Sequence, residues 1–573
     1  MAVRPLDRRL TELERCRYRF SPQDAARSVK LLSILESQRF PDIPSLIRFH
    51  EALLFLRAFP HNVSVLRRSE WLLENFSQRV EELRQTGADM GQFDPLEVSG
   101  IAGTTMEDTL SFDVVRWLVH WIPQNLEIVW DGDADERTLA AVWPRFIPLL
   151  EEDAFVEAGV PWQRWLETAS SGRTKSLKWL IDRLEELPLS DPEKAQLYDS
   201  LRVTVRWNLD KLHLSRTRNW KRVPNTFCHR QPLISRREVS LRQQLTQSPP
   251  ALKRLSLSQG EAVMNLIREV MLVRYRELYG TSLGDPRSVV RADVGRGISI
   301  FLWNLPPGRR LPLRAYVAGF SLKNGVPINY IEAIGLFEWM EVGFNTFYTF
   351  RGGEVAWIYA QALRCLCQLM GTTCISMYPY QLGHGNEEAI ESGAFWFYRK
   401  LGFRPGRADL RSLVEREEQR IARDPQYRTP ARILRRLAEG HVFYELSGSE
   451  TGAWDTFSAR NIGLKVNQRM AQEFQGNSQR FRTAASNSLA RILGLRLTAW
   501  RPRERASFED FALVFSLIPD LSIWSSREKQ ALRQIIRAKA APDEMKYLHL
   551  LQRLPKLREA MLRLGSSCLP SMA

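Results

Sequence analysis

The run Thr349-Phe350-Arg351-Gly352-Gly353-Glu354-Val355-Ala356-Trp357 decides the reading of this 573-residue chain, together with Ala394-Phe395-Trp396-Phe397-Tyr398-Arg399-Lys400-Leu401-Gly402-Phe403 forty residues on. The first run carries two glycines between an apolar strand-like stretch and a helix expected over Glu354–Met370. Backbone N–H groups at a helix start, held open by glycine, make a seat for phosphate oxygens. The helix dipole adds roughly half a unit of positive charge there, and Arg351 adds a full cation. A strand is expected at Thr373–Tyr378, and a last short helix at Ala394–Leu401, closed by Gly402.

Upstream, Ser258-Gln259-Gly260-Glu261 reads as a capping box opening a helix that runs to Gly280. Strand-like runs follow at Gly297–Leu305, Arg314–Leu322 and Ile328 to about Tyr348. Asn324-Gly325 between the second and third is a hairpin signal. Helix, three antiparallel strands, helix, strand and helix make an α+β sandwich over residues 256–410.

Arg351 to Ala356 resembles the pyrophosphate loop of the GNAT superfamily, Gln/Arg-x-x-Gly-x-Gly/Ala, and AFWFYRKLGF is similar to that family's closing phrase. The resemblance covers about 150 residues, Ser258 to Pro405. It implies an acyl-CoA-dependent N-acyltransferase, in which an amine attacks the acyl thioester directly. Arg351, Gly352, Gly353, Glu354, Val355 and Ala356 would then hold the diphosphate of acetyl-CoA or another acyl-CoA. The splayed fourth strand would hold the pantetheine arm, and Tyr398 would protonate the departing thiolate. Carboxylate bases are sought among Glu332, Glu338 and Glu341, with Glu338 favoured. Strand alternation puts Glu332 and Glu338 on one face and Glu341 on the other. Two departures stand out: Glu354 replaces a loop glycine, and the loop Pro379–Ser392 displaces an expected Asn to Asn386. No metal is implied. Cys365 and Cys367, two apart on a helix, point to different faces and cannot chelate together. His384, between two glycines, reads as a turn residue.

The flanks carry no motif. Residues 1–210 read as a helical domain, with amphipathic stretches such as Leu46–Phe59 and an N-cap at Ser190-Asp191-Pro192-Glu193. Tryptophans there, including Trp71, Trp121 and Trp143, read as core. Residues 211–255 form a proline-punctuated basic connector with eleven Lys or Arg against the single acid Glu238. Residues 411–573 read as a basic helical domain. The whole is therefore an α+β multidomain chain: a helical N-terminal region, a central GNAT-like mixed-sheet sandwich and a helical C-terminal region.

The net charge of +16 is uneven, about −9 over residues 1–200 and +14 over 201–310. Such asymmetry marks either a polyanion surface or acidic and basic parts docked on one another. Six scattered cysteines suit a reducing compartment, and no apolar run spans a bilayer, so a cytoplasmic protein without a membrane partner is expected. The amine acceptor, small molecule or protein, is not readable. Two other classes stay open beside the resemblance: a non-catalytic GNAT-like scaffold whose helical flanks and basic residues 211–255 bind protein or nucleic acid, and an aminoacyl-tRNA-dependent transferase, a reading that the same resemblance implies.

Overall fold

Asn324 and Gly325 both take left-handed backbone (φ 51° and 83°) and fold β7 (Ala315–Lys323) tightly onto β8 (Val326–Leu336). This hairpin is the centre of the fold. In the computed structural model, residues 5–566 are described apart from 124–125, 131–137, 139–140, 143–144, 146–161, 173–174, 210–212, 275–276 and 447. The architecture is mixed α/β, with helices around a nine-stranded sheet and a separate three-stranded one.

The large sheet joins β4 (Lys253–Arg254), β5 (Val290–Gly295), β6 (Ile298–Asn304), β7, β8, β9 (Trp339–Thr346), β10 (Cys374–Met377), β11 (Arg404–Pro405) and β12 (Val442–Glu445). Its spatial order is β11-β12-β10-β9-β8-β7-β6-β5-β4. Neighbours pair antiparallel except β9 with β10, which run parallel across the connecting helix Val355–Met370. The expected third strand, Ile328 to Tyr348, is in fact two. It folds back at Phe337-Glu338, where Leu336 faces Trp339. Phe337 holds φ +54°, a conformation costing an L-residue roughly 1–2 kcal/mol. Packing maintains it: the ring is fully buried beside Trp454, and Gln552 Nε2 donates to its carbonyl at 2.9 Å.

That reversal corrects the facing of the carboxylates. Glu332 pairs with Gly343 and Ile334 with Glu341, so Glu332 and Glu341 share one face of the sheet. The capping box also shifts: Ser256 caps Gln259, and the helix runs Leu257–Leu272 rather than to Gly280.

Two regions expected to be helical contain strands. In the N-terminal part β1 (Thr105–Thr109), β2 (Leu126–Ile128) and β3 (Thr204–Asn208) form the three-stranded sheet, with β3 central. It has its own core, including Phe112, Tyr198 and Trp207. In the C-terminal part β12 inserts between β10 and β11. Trp71 and Trp121 are exposed, not core; Trp143 lies outside the described residues.

Packing does not break at 210, 255 or 410. One apolar core runs from Leu10 through the large sheet to Met561. Residues 213–255, expected as a connector, lie along the body as a strap. Lys221 N donates to Gly325 O at 3.0 Å, His229 N to Pro60 O at 2.8 Å, and Phe227 N to Asn324 Oδ1 at 2.8 Å. A Cβ on Gly325 would fall on the Lys221 carbonyl, so this turn residue is fixed twice over.

The helix Ile43–Ala58 carries Glu51, which meets Arg216 of the strap at 3.8 Å and His50 Nδ1 at 3.0 Å, and accepts the Thr349 hydroxyl. Burial alone would raise this carboxyl, but Arg216, His50 and Thr349 together hold it at about 2. A carboxyl depressed on folding stabilises the protein above its unfolded pKa of 4.5 and loses that contribution as pH falls towards 2. Glu51→Gln is expected to cost on the order of 3 kcal/mol at neutral pH. Tm measured against pH should find the gap from the native chain closing between about pH 4.5 and about pH 2.

Candidate functional site

β9 and β10 stay in parallel register for four residues, Trp339–Val342 against Cys374–Met377, and then part. β9 continues to Thr346 along β8 alone, so its backbone groups on the other side lose their strand partner. The opening forms a cleft of about 280 Å³. Phe344, Asn345 and Thr346 make one wall, Phe397 and Tyr398 the other, and Arg351 and Val355 close the end.

Tyr398 reaches this wall from the short helix Ala394–Arg399. Its ring meets Tyr359 and Phe403 edge-on at centroid distances of 5.7 and 5.8 Å. Burial pushes its hydroxyl well above the ordinary tyrosine range, so it keeps its proton. Phe344 packs edge-on against Tyr359 at 5.0 Å, so this side of the sheet is the side of helix Val355–Met370.

The glycine turn divides its residues between the cleft and the interior. Arg351 stacks on Tyr348 at 3.8 Å, donates to Thr346 O at 3.3 Å and pairs with Glu388. That pair is more than a third exposed on both sides and contributes at most about 1 kcal/mol, so an arriving anion can replace Glu388. Gly352, itself exposed, and the half-buried Gly353 instead have aromatic rings from the N-terminal region packed against one side. A Cβ on Gly352 would sit 2.8 Å from Tyr18 Cε1, and one on Gly353 2.8 Å from Phe59 Cζ. Their lack of a side chain serves this close packing. Val355 borders the cleft, whereas Ala356 is buried behind it.

Glu354, expected beside a bound diphosphate, turns the other way and is fully buried. It accepts Arg296 Nε at 3.1 Å and a second Arg296 hydrogen bond, accepts Ile234 N at 3.1 Å, and lies 3.9 Å from Lys323 Nζ. It therefore does not repel an anion in the cleft.

The three carboxylate candidates separate. Glu338 sits in the β8–β9 turn, held by Arg558 at 2.6 Å and by Trp454 Nε1 at 2.8 Å, at the far end of β9 from the cleft. It is a clamp for the C-terminal helices. Glu332, opposite Gly343, accepts the Tyr316 hydroxyl, and burial raises its pKa. Glu341 lies 3.0 Å from His441 Nε2 and 3.7 Å from Arg314. Glu332 and Glu341 thus occupy the face opposite the helix, on either side of Gly343. Sequence reasoning missed His441, because it stands a hundred residues from Glu341 and no local pattern joins them.

The loop after β10 holds two short helices, Pro379–Leu382 and Glu387–Glu391, and Asn386 caps the second. His384 is an exposed turn residue between Gly383 and Gly385. The basic strap is not a continuous free surface: Arg216 is buried and Arg218 donates to Glu74 O, while Lys221, Arg222, Arg230 and Arg237 are exposed. A larger groove, about 820 Å³, lies along helices Ala459–Phe474 and Ser478–Leu493. Its Arg469 and Glu473 pair with each other at 3.1 Å, and it gathers no set of reactive groups. Among the described residues no cluster of three or more His, Cys, Asp or Glu could hold a metal ion, and no helix is long and apolar enough to cross a membrane.

No protein-family model, curated protein or solved structure matches this chain.

Removing the buried Glu354 carboxylate strands two cations. Glu354→Ala is expected to cost about 3–5 kcal/mol, and Gly353→Ala about 1–3 kcal/mol through overpacking against Phe59. Glu388→Ala, which breaks the exposed pair with Arg351 and the contact with the Tyr348 hydroxyl, should cost less than either, about 1 kcal/mol. Urea unfolding midpoints of the three variants check this order.

Proposed function

We propose that the protein is an N-acyltransferase that takes an acyl group from acyl-CoA and gives it to a primary amine. The observation that carries this reading is the parting of β9 from β10 beside a cationic helix start, with a protonated tyrosine in the opening. An extended pantetheine arm suits the backbone of Phe344 and Asn345, which has no strand partner on that side, while the Thr346 carbonyl is taken by Arg351. Arg351 and the first N–H groups of helix Val355–Met370 are the groups available to a diphosphate. Tyr18 and Phe59, packed against one side of Gly352 and Gly353, narrow that seat towards the Arg351–Val355 side, so the phosphate contacts differ from those the motif alone implies.

The chemistry follows from charge. As the amine attacks the thioester carbonyl, negative charge moves onto sulfur, and a fixed donor aimed at it lowers the barrier. The raised pKa of Tyr398 makes it a hydrogen-bond donor to that sulfur rather than a full proton source, since a thiolate holds a proton less tightly than this phenolate would. The attacking amine must shed a proton on the opposite face, where Glu332 and Glu341 lie.

Isothermal titration with acetyl-CoA tests the reading, and no heat at millimolar ligand would overturn it. Arg351→Ala should weaken binding about tenfold, the loss of one charge-assisted contact. Tyr398→Phe should leave affinity nearly intact and lower the rate of thiol release about 100-fold. An unchanged single-turnover rate would remove Tyr398 from the mechanism.

A further inference from the structure

Met377 is the last residue of β10 in register with β9, facing Val342, and its other neighbour is Val442 of β12. One step further along the sheet stand Gly343, Tyr378 and His441, in the row where the strands part. Glu341, Gly343 and His441 share the face opposite helix Val355–Met370. Glu341 reaches His441 Nε2 at 3.0 Å, and Tyr378 meets the imidazole edge-on at 5.4 Å. Tyr378 is itself held by Arg460, which donates to its hydroxyl at 2.8 Å. Gly343 places no side chain in this row; a Cβ there would have only Gln381 and Glu332 within 4 Å.

A carboxylate can only accept, so the proton of a neutral His441 sits on Nε2 and its lone pair on Nδ1. Nδ1 makes no hydrogen bond among the described residues and is not a buried orphan. A tautomer fixed by a carboxylate, with a free ring nitrogen in the sheet row where β9 and β10 part, is the arrangement a general base requires. Glu332 instead has one carboxylate oxygen engaged by the Tyr316 hydroxyl and stands on β8, away from the parting strands.

We propose that His441 is the general base for the attacking amine and that Glu341 is its positioning residue; this rests on the acyltransferase reading above. The amine nitrogen forms the bond to the acyl carbon as the C–S bond breaks and its electron pair leaves on sulfur. The nitrogen's proton passes to His441 Nδ1 and then to solvent. The thiolate, hydrogen-bonded by Tyr398, takes up a proton from solvent, so amine and thioester become amide and thiol. The two faces of the sheet divide the work: acyl donor on the helix side, acceptor on the His441 side.

The test uses the full chain with acetyl-CoA and a panel of simple primary amines (ethylamine, 1,4-diaminobutane and Nα-acetyl-lysine), following thiol release and, separately, acetyl-CoA binding by titration. His441→Ala is expected to lower kcat at least 100-fold with acetyl-CoA affinity within twofold, and added imidazole should restore part of the rate. Glu341→Gln should lower kcat, Glu341→Asp should recover much of it, and nitrogen-15 spectra should find His441 losing its fixed Nε2–H form only in the Gln variant. Full turnover in His441→Ala overturns the base assignment and leaves the acyltransferase reading standing. A native chain that binds no acetyl-CoA overturns both, as does one that binds it but acylates none of these amines. A His441→Ala protein that has lost its acetyl-CoA affinity along with its rate overturns the catalytic role in favour of a structural one.

Discussion

A carboxylate with no exposure to water must be fully paired, and Glu354 is the point on which the centre of this molecule turns. Leaving such a charge without partners costs several kcal/mol, more than a marginally stable fold can spare. Its partners come from three other segments: Arg296 from the β5–β6 turn, Lys323 from the end of β7, and the Ile234 backbone from the strap. Lys323 lies between the Phe59 and Phe227 rings, at 4.9 and 4.8 Å, and burial pushes its ammonium down to about 7. One side chain therefore sets the register of two hairpins, the course of the strap and the starting point of helix Val355–Met370. Since that helix start closes the end of the cleft, the geometry of the candidate site is inherited from an ion cluster on its reverse side.

The same turn illustrates how one short segment serves two purposes. Arg351 and Val355 face the cleft, while Gly352, Gly353 and Glu354 face the N-terminal helices and the hairpins. Glycine adjacent to a helix start is physically ambiguous: it permits close approach by a phosphate or by an aromatic ring. Tyr18 and Phe59 use it in this chain. What remains open at this end of the cleft is a narrower corner, lined by Arg351 and its partner Glu388.

How much of this was legible in the sequence depends on the distance over which each feature is determined. The Asn324-Gly325 turn, the Ser190 N-cap, helix Val355–Met370 and β10 follow from neighbouring residues, and all are readable. The β8–β9 reversal was not, because Phe337-Glu338 has none of the glycine or asparagine that makes a turn cheap; burial of Phe337 and contacts from Gln552 and Trp454 impose it. β12 was missed because four residues, Val-Phe-Tyr-Glu, carry too little pattern, and the partners that make them a strand lie tens of residues away. Of the candidate site, Arg351 and Tyr398 come from the resemblance of the two motifs, and both line the cleft. Glu338, favoured as the base, lies at the other end of β9 from the cleft, and its tie to Arg558 spans more than two hundred residues and so leaves no local pattern. His441 left no local trace at all.

β12 also has a consequence in time. It belongs between β10 and β11, yet it follows both in the chain, beyond helices Ala408–Arg423 and Ala431–Leu437. A nascent polypeptide leaving the ribosome therefore exposes the outer edge of β10 until residue 445 has emerged. That edge carries Cys374-Ile375-Ser376-Met377, an uncharged segment suited to pairing with another chain. Synthesis at about 5–20 residues per second leaves it open for some seconds. During that interval the large sheet is vulnerable to association with other unfinished copies, and only completion of its late strand closes the risk.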